Sequence, residues 1–168
     1  MVDDEVKLGT RARPLPFLPQ ARRTLARRWD ILAVIAVGGA LGSLARWGLG
    51  QALPPAQSEF PWATFIENVS GGFLLGVLMV FVIDVWPPSR YLRPFLAVGV
   101  LGGFTTFSTY MLDTRNLVAA DRALLGMVYL FGTLTAGIAA VWLGVAVARL
   151  FITRVIRRRQ RRSTRMQT

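Results

Sequence analysis

The chain has 168 residues, 53% of them apolar, yet it carries a net charge of +11. Length alone describes one domain, and this pairing of apolarity with charge suits a membrane protein better than a soluble core. With no Cys and no His, disulfides, thiolate chemistry, the usual zinc sites and imidazole acid–base catalysis are excluded.

Charge and apolarity are segregated along the chain. Residues 1–29 and 149–168 hold most of the Lys and Arg, whereas 31–148 is nearly uncharged. The expected organisation is a basic, disordered cytoplasmic arm (1–29), a transmembrane domain (30–148) and a basic cytoplasmic tail (149–168). No small-residue cleavage site follows a short apolar core near the N-terminus, so no secretory signal is expected. The run Arg157-Arg158-Arg159-Gln160-Arg161-Arg162 would suit phosphates electrostatically. Beside a membrane helix, topology and anionic headgroups explain it at less cost, and no nucleic-acid partner is expected.

About 20 apolar residues are needed to cross the hydrocarbon, and four stretches qualify. The first covers 31–53, with Trp29 as an interfacial aromatic and Asp30 as N-cap, and stops at Pro54-Pro55. The second covers 62–86 and stops at Trp86-Pro87-Pro88; the third covers 92–117; the fourth covers 122–148 and closes at Arg149. Short connections make neighbouring helices antiparallel, so both termini lie on one side with Arg90 and Arg93. The other side carries only Arg115 and Arg122, each close to an Asp (Asp113 and Asp121). The positive-inside rule then places both termini in the cytoplasm.

Polar or small residues inside a span need a reason, because lipid solvates neither charges nor unpaired backbone. In the first span Gly38 and Gly42 form a GxxxG pair suited to close packing, and Arg46 must snorkel, pair or face water. In the second, Asn68, Gly71, Gly72 and Leu75 share one face. Asn68 can donate and accept, so it is the candidate to touch a solute. Glu67 points about 100° away from that face. The third span carries Gly99-Val100-Leu101-Gly102-Gly103-Phe104-Thr105-Thr106-Phe107-Ser108-Thr109-Tyr110. Adjacent glycines followed by two β-branched threonines are poor material for a continuous helix, and either a break or a simple packing kink near its middle would explain them. A break frees carbonyls able to hold a hard cation such as Na⁺. Phe107 and Tyr110 then share a face, where the positive edge of an aromatic ring can meet an anion. In the fourth span Tyr129, Thr133 and Gly137 form a one-sided polar stripe, although such hydroxyls commonly bond their own helix.

These segments, with Gly38 to Trp47 and Thr64 to Gly76, resemble the CrcB-type (Fluc) fluoride channels over roughly 33–148. The resemblance implies an all-α membrane protein of four transmembrane helices, the third broken, in an antiparallel, dual-topology dimer. It further implies passive fluoride export across the inner (plasma) membrane, and a structural Na⁺ at the dimer centre held by the Gly102 and Thr105 carbonyls. Asn68, Phe107, Ser108, Thr109, Tyr110 and Thr133 would line the fluoride pathway, with Arg46 at its aqueous mouth. Three positions depart from the family pattern: Tyr110 stands where Phe is usual, Glu67 where an apolar residue is usual, and Ala63 or Trp62 where a Gly usually precedes Thr64.

Two other function classes are weighed. A small proton-coupled multidrug transporter needs an intramembrane carboxylate, for which Glu67 is the candidate, but no aromatic cage accompanies it. A non-conducting partner subunit of a heterodimeric channel would fit Tyr110 and Glu67. An enzyme is not expected, since no catalytic constellation is present. An antiparallel homodimer needs one sequence to insert both ways, and the steep Arg bias opposes this. A homodimer and a heterodimer with an inverted related subunit both stay open, and the charge bias favours the heterodimer.

Overall fold

The computed structural model describes residues 28–54, 59–85, 87 and 89–165, with side chains described up to Arg154. By their contacts Met1–Asp30 and Ile31–Thr168 are separate units, and all that follows on packing concerns the second. The expected basic arm lies, except for Arg28 and Trp29, outside the described residues, as do Pro55, Trp86 and Pro88.

Among the described residues every regular element is a helix. Helix α1 is Trp29–Ala52. Helix α2 is Trp62–Val80, prolonged by the wider π-helical turns of Phe81–Val85. Helix α3 comprises Pro94–Leu101, also π-helical, and the turn Gly102–Phe104. Helix α4 is Ser108–Ala119 and α5 is Ala123–Arg165. Four stretches are long and apolar enough to span a membrane: Trp29–Ala52, Trp62–Val85, Pro94–Ala119 and Ala123–Arg154.

Two expectations are corrected here. Asp30 lies in the first turn of α1 rather than capping it; an acid there still meets the positive end of the helix dipole. The last helix does not close at Arg149 but continues to Arg165. Arg is a good helix former, so the boundary of the apolar run is not the boundary of the helix.

Close approach of small residues holds the bundle together. A Cβ on Gly38 would meet the Phe95 carbonyl and come within 3.1 Å of Gly99 Cα, and one on Gly42 would collide with the Val100 carbonyl. The GxxxG pair of α1 therefore packs on α3. On the other side of α2, a Cβ at Gly76 would strike the Val141 carbonyl, and one at Gly144 would strike the Phe73 carbonyl. Backbone-to-backbone contact of this kind supplies dispersion energy where lipid offers no hydrophobic drive for helices to associate. The α2–α3 end is closed by Arg93, whose guanidinium donates to the Val82 carbonyl. At the opposite end, Asp121 turns the chain from α4 into α5 with a φ of 60°. Asp is among the few non-Gly residues that tolerate this left-handed conformation.

Candidate functional site

The site is built where α3 gives way to α4. Helical dihedrals end at Phe104, and Thr105 is extended at φ −79°, ψ 155°. Two side chains then take the backbone donors that a continuous helix would use. The Thr106 N–H donates to Asn68 Oδ1 at 2.9 Å instead of closing on the Gly102 carbonyl. The Thr109 N–H donates to Thr106 Oγ1 at 3.2 Å instead of closing on the Thr105 carbonyl. Asn68 completes the clamp by donating from Nδ2 to the Thr106 carbonyl at 2.9 Å. Both ends of the Asn68 amide are thus engaged by one residue 38 positions away in sequence.

This pattern bears directly on the cation expected from the resemblance. The N–H groups that a continuous helix would bring to the two carbonyls named for it, Gly102 and Thr105, are diverted to Asn68 Oδ1 and Thr106 Oγ1. Hard oxygen donors without helical partners fit a hard monovalent cation, so the residues present fit Na⁺.

A cavity of about 360 Å³ lies beside the break, lined by Asn68, Thr105, Thr106, Phe107, Tyr110 and Thr133 with apolar residues of α5. Thr133 is only 4% exposed, and its Oγ1 is buried without any hydrogen-bond partner among the described residues. It does not follow the common habit of bonding its own helix, as Thr135 does to the Phe131 carbonyl at 2.8 Å. A buried hydroxyl with nothing to bond is costly unless something else comes to it. Phe107 stands at the rim, 74% exposed, with its ring 6.0 Å from that of Tyr110. Tyr110 is buried, and its hydroxyl donates to the Leu130 carbonyl of α5. The extra oxygen that distinguishes this position is therefore directed into α5 and not into the cavity.

A second cavity, of about 560 Å³, opens between the C-terminal part of α1, the N-terminal part of α2, and α4. Its lining includes Ser43, Arg46, Glu59, Thr64, Glu67, Thr109 and Asp113. The candidate residues thus divide. Asn68, Phe107, Tyr110 and Thr133 share the first cavity, and Arg46 and Thr109 the second. Ser108 is exposed and lines neither; its hydroxyl lies 3.4 Å from Thr106 Oγ1. Thr106 Oγ1 also donates to Thr109 Oγ1 at 3.1 Å, so a short chain of hydroxyls runs along the start of α4.

Two residues that matter were not singled out from sequence, Thr106 and Asp113. Thr106 is the hub of the break. Asp113 was read as sitting beside Arg115 on the outer side; instead it is half-buried and accepts from Thr64 Oγ1 at 2.8 Å and Tyr129 Oη at 3.3 Å. Glu67 is therefore not the only carboxylate within a span. Tyr129 is fully buried and packs on Tyr110 at 5.4 Å and on Phe60 at 5.3 Å. A carboxylate within a helical turn of a span end was the available signal for Asp113. Thr106 gave none beyond its place in the Thr-Thr pair.

Residues 33–145 match the family described as CrcB-like protein, Camphor Resistance (CrcB). This chain belongs to the CrcB family. Among its relatives, the fluoride-specific ion channel FluC 3 of Streptomyces avermitilis is 48% identical over 130 residues, covering 77% of this chain and 64% of that protein. The fluoride-specific ion channel FluC 2 of Nocardia farcinica is 49% identical, covering 71% of this chain and 85% of that protein. The fluoride-specific ion channel FluC 1 of Streptomyces coelicolor is 45% identical, covering 77% and 82% respectively. The break, both cavities and all the residues above fall inside the matched region.

Proposed function

We propose that this CrcB-family chain is a subunit of a fluoride channel that lets the ion leave the cell passively across the plasma membrane. The observation that carries this reading is the buried, unpartnered Thr133 hydroxyl, facing a cavity rimmed by the Phe107 and Tyr110 rings. Fluoride is small and strongly hydrated, so a pathway must replace its water with close donors without holding it too tightly. A free hydroxyl and positive ring edges supply this, while a fixed cation at the same place would bind and trap. The names of the relatives support fluoride as the ion.

In this reading the interruption between α3 and α4 is the break of the third helix. Asn68 maintains it by holding both backbone groups of Thr106. The remaining Asn68 amide hydrogen and the Ser108, Thr109 and Thr133 hydroxyls serve the anion, with Arg46 drawing it to the mouth. Na⁺ would be held by the Gly102 and Thr105 carbonyls and would supply a positive charge near the pathway when bound. The subunits assemble as an antiparallel dimer, with both termini of this chain in the cytoplasm. The steep Arg bias favours a related, inverted subunit as the partner.

The hydroxyl of Tyr110 does not favour a blocked pathway, because it is engaged with the Leu130 carbonyl. Nor does Glu67 favour a multidrug transporter: Trp47, Phe60 and Trp62 share its cavity, but so does Arg46, whose positive charge opposes a cationic drug. Growth in fluoride of a host lacking its own export tests the function. Rescue by this chain, alone or with a related inverted subunit, is expected. Failure in both cases refutes the proposal.

A further inference from the structure

Glu67 is 3% exposed and lies within a span, yet no hydrogen bond or ion pair engages its carboxylate among the described residues. Its neighbour Asp113 is tied down by the Thr64 and Tyr129 hydroxyls. Glu67, one turn beyond Thr64 on the same helix face, has no such anchor. An intramembrane carboxylate that holds nothing in place has no structural return for its desolvation. The charged groups lining its cavity are Arg46 from α1, Glu59 from the segment before α2, and Asp113 from α4. Three carboxylates therefore face one guanidinium at a mouth read above as an anion's way in.

We propose that Glu67 limits the admission of anions at this mouth: in its ionised form its negative charge offsets Arg46 and lowers the local concentration of fluoride. The proposal rests on the fluoride-channel reading for its functional meaning, but the acidity of the mouth is a separate physical claim. A unit charge about 7 Å from a passing ion, at an effective dielectric of about 40, alters its local concentration by roughly five- to tenfold. The effect is long-ranged only in low salt, because the screening length is about 30 Å at 0.01 M and about 3 Å at 1 M. Ionic strength therefore separates this role from a packing role, on which salt has no such hold. Glu67 acts here as a determinant of access and makes no contact with the narrow cavity at the helix break.

Trp47 and Trp62 line the same cavity and are more than half exposed, which provides a reporter independent of conduction. The full chain in detergent, with Trp29, Trp86 and Trp142 replaced by Phe, is titrated with potassium iodide and with neutral acrylamide. Glu67→Gln is expected to raise iodide quenching relative to acrylamide several-fold at about 10 mM salt, and by less than about twofold at about 1 M. Glu67→Asp, which keeps the charge, should move the ratio much less, and size-exclusion chromatography confirms that each variant remains folded. An unchanged ratio in Glu67→Gln, or a change that high salt does not reduce, overturns the proposal. Fluoride efflux from proteoliposomes should rise in Glu67→Gln with the same salt dependence. Efflux that stays level or falls while quenching rises shows that Glu67 does not limit admission. Absence of efflux from every chain, with the quenching response intact, refutes the channel reading and the admission role together, while the acidic mouth stands.

Discussion

Replacing Asn68 by Ala removes the side chain that clamps Thr106 at the helix break. Two hydrogen bonds to Thr106 are lost, each 2.9 Å long and well formed. A backbone group left unsatisfied away from water costs about 1–3 kcal/mol. The Thr106 N–H and carbonyl together put the loss at about 2–6 kcal/mol, a large share of the roughly 5–15 kcal/mol that holds a typical domain folded. The chain has one escape, which is to return the Thr106 N–H to the Gly102 carbonyl and rebuild the helix across the break. That relieves the donor but withdraws one of the two carbonyls proposed for Na⁺. Either way Asn68→Ala should lower the apparent melting temperature in detergent by several degrees and abolish fluoride efflux. The assay is thermal unfolding followed by size-exclusion chromatography, run beside efflux from proteoliposomes. Asn68→Ala with unchanged melting and full efflux would refute the clamp.

Thr133→Val keeps the shape and removes a hydroxyl that bonds nothing among the described residues; melting should stay within about 1 kcal/mol of the parent while fluoride efflux falls at least about tenfold. Tyr110→Phe gives up the bond to the Leu130 carbonyl and should cost about 0.5–1.5 kcal/mol in thermal stability, with a smaller change in efflux than Thr133→Val because the hydroxyl faces α5. Gly42→Leu drives a side chain into the Val100 carbonyl and should destabilise by more than about 1–3 kcal/mol, the range for ordinary overpacking, seen as aggregation on size-exclusion chromatography.

The four spans were legible because length and apolarity are local properties: the expected 62–86 became Trp62–Val85, and 92–117 became Pro94–Ala119. The GxxxG packing of α1 was legible for the same reason, since small residues four apart share a face. The end of α5 was not. Leaving the apolar run and leaving the helix are different events, and the Arg-rich segment does the first without the second. The clamp was half legible: Asn68 stood out as a residue needing partners, but its partner lies 38 positions away and no spacing rule reaches that far. Asp113 was misread because its sequence neighbour Arg115 offered a simple pairing. On a helix, residues two apart do not face each other, and α4 turns Asp113 inward to Thr64 and Tyr129. Glu67 posed the reverse problem: its departure from the family pattern was visible, but the cavity that gives it company is made by three helices at once.

The measurement that bears most directly on the account is fluoride efflux from loaded proteoliposomes, read with a fluoride electrode. It is run with this chain alone and with a related, inverted subunit. The account predicts rapid release of fluoride, with chloride retained, in at least the paired preparation. Correctly assembled dimers that release no fluoride, or release chloride as readily, would contradict it.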